Sequence, residues 1–337
     1  SSQNCILTKK RMSQIHTRLE VMSELAKNMD TYVKDYLVPI ETNWQPADML
    51  PDATKDSFFA DVKALQEAAN ELPYDYWAVL VGDTITEEAL PTYESWLLGM
   101  DTVNHVDQND GWARWIRTWT AEENRHGIVM RDYLMATRGV DPYELEDLRM
   151  AHMSIGYQKP YENDMLHTVA YVSFQELATR ISHRNTGLIS DDPICESMLQ
   201  RVSLDENLHM IFYRNLLGAA LDREPNAAMR AITDVVTNFD MPGADMPGFA
   251  RKSVGIALAG IYDMQQHLED VIAPVLRAWN VFGREDLTGD GQAAREELSA
   301  FLAGATTDSD RFNEKREAHF ERLIARGQEP IRLTKTK

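Results

Sequence analysis

The segment Ala121-Glu-Glu-Asn-Arg-His126 has a counterpart far along the chain, Leu204-Asp-Glu-Asn-Leu-His209, and both contain Glu-x-x-His. On an α-helix, residues three apart share a face, so Glu123 with His126, and Glu206 with His209, can each present a carboxylate and an imidazole to one point. A lone pair of this kind on an exposed helix is ordinarily a weak surface contact. Two matched pairs are different, because each lies in a strongly apolar helix. Trp112, Trp115, Ile116 and Trp119 precede the first, and Ile211, Phe212 and Leu216 follow the second. Burying carboxylates there without partners would be expensive.

Working outward, two more helices each offer one carboxylate in the order a dinuclear bundle needs. Glu87 lies in Val79-Leu-Val-Gly-Asp-Thr-Ile-Thr-Glu-Glu-Ala-Leu90 and Glu176 in Val172-Ser-Phe-Gln-Glu-Leu-Ala178. The plan Glu, Glu-x-x-His, Glu, Glu-x-x-His is the two-fold pattern of ferritin-like di-iron carboxylate bundles. Four carboxylates and two imidazoles suit iron or manganese, being harder than the thiolates of a zinc site. Two Fe(II) ions would also balance the four negative charges of Glu87, Glu123, Glu176 and Glu206. Glu122 and Asp205 stand one position before each pair. The pseudo-symmetry pairs Asp205 with His126 and Glu122 with His209, where a carboxylate accepting the non-ligating ring N–H would fix each imidazole.

The rest of the chain supports an all-α fold: a four-helix core with flanking helices. Apolar residues recur at three- and four-residue spacing from Met12 to Ala303, which predicts helices near 12–38, 55–71, 75–100, 110–138, 142–155, 162–189, 192–219, 225–238, 247–262 and 264–280. The prolines of Trp44-Gln-Pro-Ala-Asp-Met-Leu-Pro51 mark an extended, pinned connector, and Met241-Pro-Gly-Ala-Asp-Met-Pro-Gly248 a second ordered loop. The sequence reads as one domain over 1–304, then a polar peripheral helix and Lys-rich tail over 305–337. Of the 337 residues, 44% are hydrophobic, ample for a core, and no run is long and apolar enough to suggest membrane insertion. The formal charge of −19 opposes nonspecific binding to nucleic acid. Two cysteines, Cys5 and Cys195, could form at most one bridge, which fits a reducing compartment.

These residues and their surroundings resemble the soluble acyl-carrier-protein desaturases, the stearoyl-type enzymes of plastids and their bacterial relatives. The likeness is carried by Asn43-Trp-Gln-Pro-Ala-Asp-Met-Leu-Pro51, Leu80-Val-Gly-Asp-Thr-Ile-Thr-Glu-Glu-Ala-Leu-Pro-Thr-Tyr93, Trp119-Thr-Ala-Glu-Glu-Asn-Arg-His-Gly127 and Ser173-Phe-Gln-Glu-Leu-Ala-Thr-Arg-Ile-Ser-His183. Ser182-His-Arg-Asn-Thr-Gly187 and Asp205-Glu-Asn-Leu-His-Met-Ile-Phe-Tyr213 look like actinobacterial members, which points to a bacterial cytoplasm, with a plastid stroma as the alternative.

The resemblance implies O2-dependent introduction of a cis double bond into an acyl chain on acyl carrier protein, with a ferredoxin-like electron donor, two iron ions and a homodimer. It assigns Glu87, Glu123, His126, Glu176, Glu206 and His209 as iron ligands and Thr179 as a hydroxyl on the O2 side. It gives Trp44 a place on an electron route through Asp205 and His126. An unactivated methylene has no polar handle, so channel shape must set the position of attack; Tyr93, Trp96, Gly99, Met100 and Phe249 are the expected lining. Acyl carrier protein is acidic, so docking calls for a local basic patch, for which Arg251 and Lys252 lead, ahead of Arg223 and Arg230. The competing expectations are a di-iron hydroxylase or oxygenase with the same ligands, and a noncatalytic iron-handling bundle.

Overall fold

The computed structural model describes residues 18–330 except Pro73 and Asp245, and not the side chains of Tyr74 and Asp75. Cys5 and the Lys-rich end lie outside the described residues; Cys195 is a buried free thiol. Among the described residues the regular elements are helical. They are α1 (18–26), α2 (Met29–Tyr36), α3 (Pro46–Met49), α4 (Phe58–Ala69), α5 (Tyr74–Glu88), α6 (Leu90–Leu98), α7 (Gly111–Thr137), α8 (Pro142–Ile155), α9 (Met165–Ile189), α10 (Pro193–Leu221), α11 (Pro225–Thr237), α12 (Phe249–Ala259), α13 (Met264–Gln266), α14 (Ala273–Ala278) and α15 (Asp290–Ala325).

Helices α5, α7, α9 and α10 form the central bundle, with α9 and α10 joined by a three-residue connection at 190–192. Their starts are fixed chemically. Asp110 accepts from the Ala113 N–H, Asp164 from the Leu166 and His167 N–H groups, and Asp192 from the Ile194 N–H ahead of α10, whose first residue is Pro193. The core between them is aromatic and aliphatic. Trp115 stacks on Phe212 with ring centroids 3.5 Å apart, and the Trp115 indole N–H donates to the Tyr213 hydroxyl at 3.1 Å.

Three helices expected to be continuous are interrupted, and one element is extended. The stretch read as 75–100 breaks at Ala89, because Pro91 has no N–H for the carbonyl four residues back, that of Glu87. Glu87 therefore occupies a helix end. The stretch read as 264–280 contains a π-helical turn, His267–Ile272, where Pro274 cannot serve the Asp270 carbonyl. The stretch read as 12–38 turns at Lys27–Asn28 within its described part. In the opposite sense, α15 runs unbroken through residue 304 and packs along α11 and α13, and its Arg316 donates to the Ala257 carbonyl of α12 at 3.2 Å.

One glycine matters for the bundle. A Cβ at Gly127 would stand 2.8 Å from Glu88 Cγ and 3.2 Å from the Glu87 backbone, so the residue after His126 must be small for α5 to approach α7.

Candidate metal centre and its cavity

The bundle brings six of the expected side chains to one place. Glu87 comes from the last turn of α5, Glu123 and His126 from α7, Glu176 from α9, and Glu206 and His209 from α10. They fall into two groups, Glu87, Glu123, His126 and Glu206, and Glu123, Glu176, Glu206 and His209, in each of which the ligand-type atoms lie within 4.8 Å of one another. Glu123 and Glu206 belong to both, so these two carboxylates are shared by two candidate cation positions. Glu88, the neighbour that sequence alone could confuse with Glu87, faces away and pairs with Arg131 at 3.0 Å.

The imidazoles are oriented from outside. His126 Nε2 lies 3.3 Å from Asp205 Oδ2, and His209 Nε2 lies 3.1 Å from Glu122 Oε1. Their Nδ1 atoms point inward, 3.2 Å from Glu123 for His126 and 2.6 Å from it for His209, yet neither Nδ1 makes an aligned hydrogen bond. Glu123 Oε1, Glu176 Oε1 and Glu206 Oε2 are likewise buried without a hydrogen-bond partner. Lone pairs of five buried donor atoms thus converge on a space that no protein N–H or O–H satisfies, the fit expected of a cation site.

Protonation tells the same story. Burial works against the imidazolium, but the adjacent Glu123 carboxylate drives His126 and His209 well above the usual histidine range. Glu123 is held well below the usual carboxylate range, the two imidazoles outweighing burial. Glu206 is pushed well above that range by burial and by the charges of Glu123 and Glu176. Without cations, protons must neutralise the acids; bound cations would take that place.

Sequence reasoning missed His183. It is buried on α9, its Nε2 3.0 Å from Glu87 Oε1 and its Nδ1 3.5 Å from Asp83. Burial opposes its charge, but these carboxylates carry its pKa up to about 9. The available signal was its position seven residues after Glu176, two turns along the same face. Trp44 stacks toward His126 with centroids 6.2 Å apart and donates its indole N–H to Asp205 at 2.7 Å. Thr179 donates to the Gln175 carbonyl at 2.6 Å and accepts from the Gln175 amide at 2.9 Å, the back-bonded arrangement of a helix threonine, with its side chain on a cavity wall.

That cavity, about 1080 Å³ including its mouth, runs along α5 and α6. Phe249, Lys252 and Ile256 of α12 line one end, Glu87, Glu123 and Thr179 the middle, and Tyr93, Trp96, Tyr157 and Tyr171 the other end. At the aromatic end the rings pack edge to face: Tyr93 and Trp96 meet Tyr157 at 4.8 and 5.1 Å between centroids. Gly99 and Met100 do not reach the wall. Gly99 caps α6 after its break from α5, and Met100 packs into the core behind it. Arg251 and Lys252 are exposed on α12. Arg223 and Arg230 are engaged, with Glu24 at 2.7 Å and with Asp234 and Glu297, both at 2.7 Å.

A helical bundle with two overlapping carboxylate–imidazole groups beside a mostly apolar cavity fits the class of helical metal-site proteins, and sequence comparison narrows it. The chain belongs to the fatty acid desaturase family, which matches residues 17–325. It is 38% identical over 332 residues to DesA1 of Mycobacterium tuberculosis, named as an acyl-[acyl-carrier-protein] desaturase, with 94% of each chain covered. It is 33% identical to the chloroplastic stearoyl-[acyl-carrier-protein] 9-desaturase 6 of Arabidopsis thaliana, covering 93% of this chain and 84% of that one. The crystal structure of DesA2 from Mycobacterium tuberculosis has the same fold, with a TM-score of 0.57 and 24% identity over 84% of this chain and 99% of that one. No described helix is long and apolar enough to cross a membrane.

Proposed function

We propose that the chain desaturates a fatty acyl group carried on acyl carrier protein, using two iron ions held by Glu87, Glu123, His126, Glu176, Glu206 and His209. The observation that carries this reading is that Glu87 and Glu123 form part of the wall of a mostly apolar cavity. An alkyl chain threaded past them would meet the ions part-way along its length.

Iron in this site supplies oxidation of an unactivated C–H bond by O2. The balance is loss of two hydrogens from adjacent methylenes, with O2, two electrons and two protons giving two waters. The residues do the positioning. Asp205 and Glu122 hold the imidazoles so that Nδ1 faces the ions. The aromatic end fixes how far the acyl chain enters, and the apolar wall excludes water. Thr179 must turn its proton away from the Gln175 carbonyl to deliver it to the cavity. Trp44, hydrogen-bonded to Asp205, lies on the side from which a ferredoxin-like donor would supply electrons. Arg251 and Lys252, exposed on α12 beside the cavity, would face the acidic carrier protein. We place the enzyme, as a homodimer, in a bacterial cytoplasm; higher identity to DesA1 than to the plant enzyme supports that choice.

The test is to supply reduced ferredoxin, O2 and acyl carrier protein thioesters of graded length, then analyse products by mass spectrometry. An alkene at one position supports the reading. An alcohol sinks it in favour of hydroxylation, and iron oxidation independent of acyl carrier protein identifies an iron-handling protein.

A further inference from the structure

The connector between α2 and α3 touches both acids that orient the imidazoles. The Val38 N–H donates to Glu122 Oε2 at 2.9 Å, and the Asn43 amide donates to the same oxygen at 3.2 Å. Glu122 Oε1 is thereby left for His209 Nε2. Arg125 stands 3.6 Å from Oε2 but belongs to α7 itself, so among the described residues only the connector holds this second oxygen from outside the helix. The Asn43 side-chain oxygen accepts from the Trp44 N–H at 2.8 Å, which sets the amide with its NH2 toward Glu122. The Trp44 indole then donates to Asp205, whose other oxygen accepts from Arg201 at 2.6 Å. One short segment therefore reaches Glu122 and His209 on one side and Asp205 and His126 on the other.

We infer that Asn43 is a positioning residue for the His209 half of the metal site, acting through Glu122; the inference rests on the metal-site reading above. A carboxylate that loses a donor on one oxygen can rotate or share that oxygen with the imidazole, and His209 Nδ1 then leaves the line to its ion. The Asp205 half keeps its own donors, Trp44 and Arg201, so the effect falls on one ion.

The test is titration of the metal-stripped full-length chain with Co(II), followed by visible absorption and by competition with a chelator. For Asn43→Leu the expected result is one ion bound as in the wild type, within about threefold, and one weakened about 10–100-fold with an altered ligand-field spectrum. Asn43→Ala removes the same donor without adding bulk and decides the matter if the leucine variant fails to fold. Two ions bound with wild-type affinity and spectrum overturn the inference while leaving the metal site standing. Equal weakening of both ions also overturns it, because that marks general loss of structure. A wild-type chain that binds no cobalt overturns the metal-site reading itself, and the positioning role with it.

Discussion

Two clusters in this protein share the acid-x-x-His spacing, one buried and one half-buried, and only the buried one is suited to metal. At the start of α9, Asp164-Met-Leu-His167 repeats the acid-x-x-His spacing of Glu123 with His126. There the charges pair among themselves. His167 binds Asp164 at 2.9 Å through one ring nitrogen and Asp234 at 3.2 Å through the other, while Arg230 binds Asp234 and Glu297, and Arg18 binds Asp101. In the central cluster four carboxylates meet two inward-facing imidazoles, and donor atoms are left without partners. The lesson is that spacing nominates a ligand pair, and the surrounding charge balance decides whether a cation is needed.

The largest effect expected from breaking this contrast is at the shared carboxylates. Glu123→Ala or Glu206→Ala should abolish binding of both ions and reduce turnover to background, as read by iron analysis and product assay. His167→Gln should leave both ions bound. Retention of two ions by either glutamate variant would remove the distinction between the clusters.

Next in size is the cavity, which only the central cluster adjoins. Trp96→Leu or Tyr157→Leu opens the aromatic end and should raise the rate on longer acyl chains relative to shorter ones by about tenfold, the scale of a few methylenes' discrimination. Competition assays with mixed acyl carrier protein thioesters measure this ratio. An unchanged ratio would mean that the acyl chain does not reach those rings.

The peripheral cluster should show itself in stability. Burial disfavours the His167 imidazolium, but Asp164 and Asp234 raise its pKa to about 9 from a usual value near 6.5. A raised folded-state pKa stabilises fully below about pH 6.5 and is lost as pH rises through about 9. His167→Gln should therefore cost on the order of 2 kcal/mol at pH 6 and progressively less toward pH 10, measured by denaturant unfolding. A pH-independent difference would make the contribution one of packing.

The smallest effect expected is at Gly127. Gly127→Ala gains helix propensity but forces α5 away at Glu87 and Glu88, for a net loss of about 1 kcal/mol. A stabilised variant would show that α5 shifts freely and that the Glu87 position is loosely held.

The central helices were legible because their apolar periodicity, Asp caps and Pro or Gly boundaries are local features. The breaks were harder to read. Pro91 and Pro274 were visible in sequence, but whether a proline ends a helix, bends it or adds a π turn depends on what packs beside it. Trp44 was singled out through the family resemblance, whereas Asn43, in the same block, carried no role that the sequence could assign. His183 was harder to read because its partner Glu87 sits on another helix, and a single histidine two turns beyond Glu176 is a weak signal by itself. Gly99 and Met100 were drawn into the expected channel by treating α5 and α6 as one continuous helix.

The sequence by itself determined the candidate ligand types, their order along the chain and the helical faces that carry them, because helix periodicity depends on neighbours three and four residues apart. Tertiary structure decided which carboxylates are shared, why Glu87 and not Glu88 faces inward, and why Asp164 with His167 is an ion pair where Glu123 with His126 faces orphaned donors. Those outcomes depend on the separation and rotation of helices distant in sequence, set by contacts such as Gly127 on Glu88 and Asp234 on His167 that no local pattern encodes.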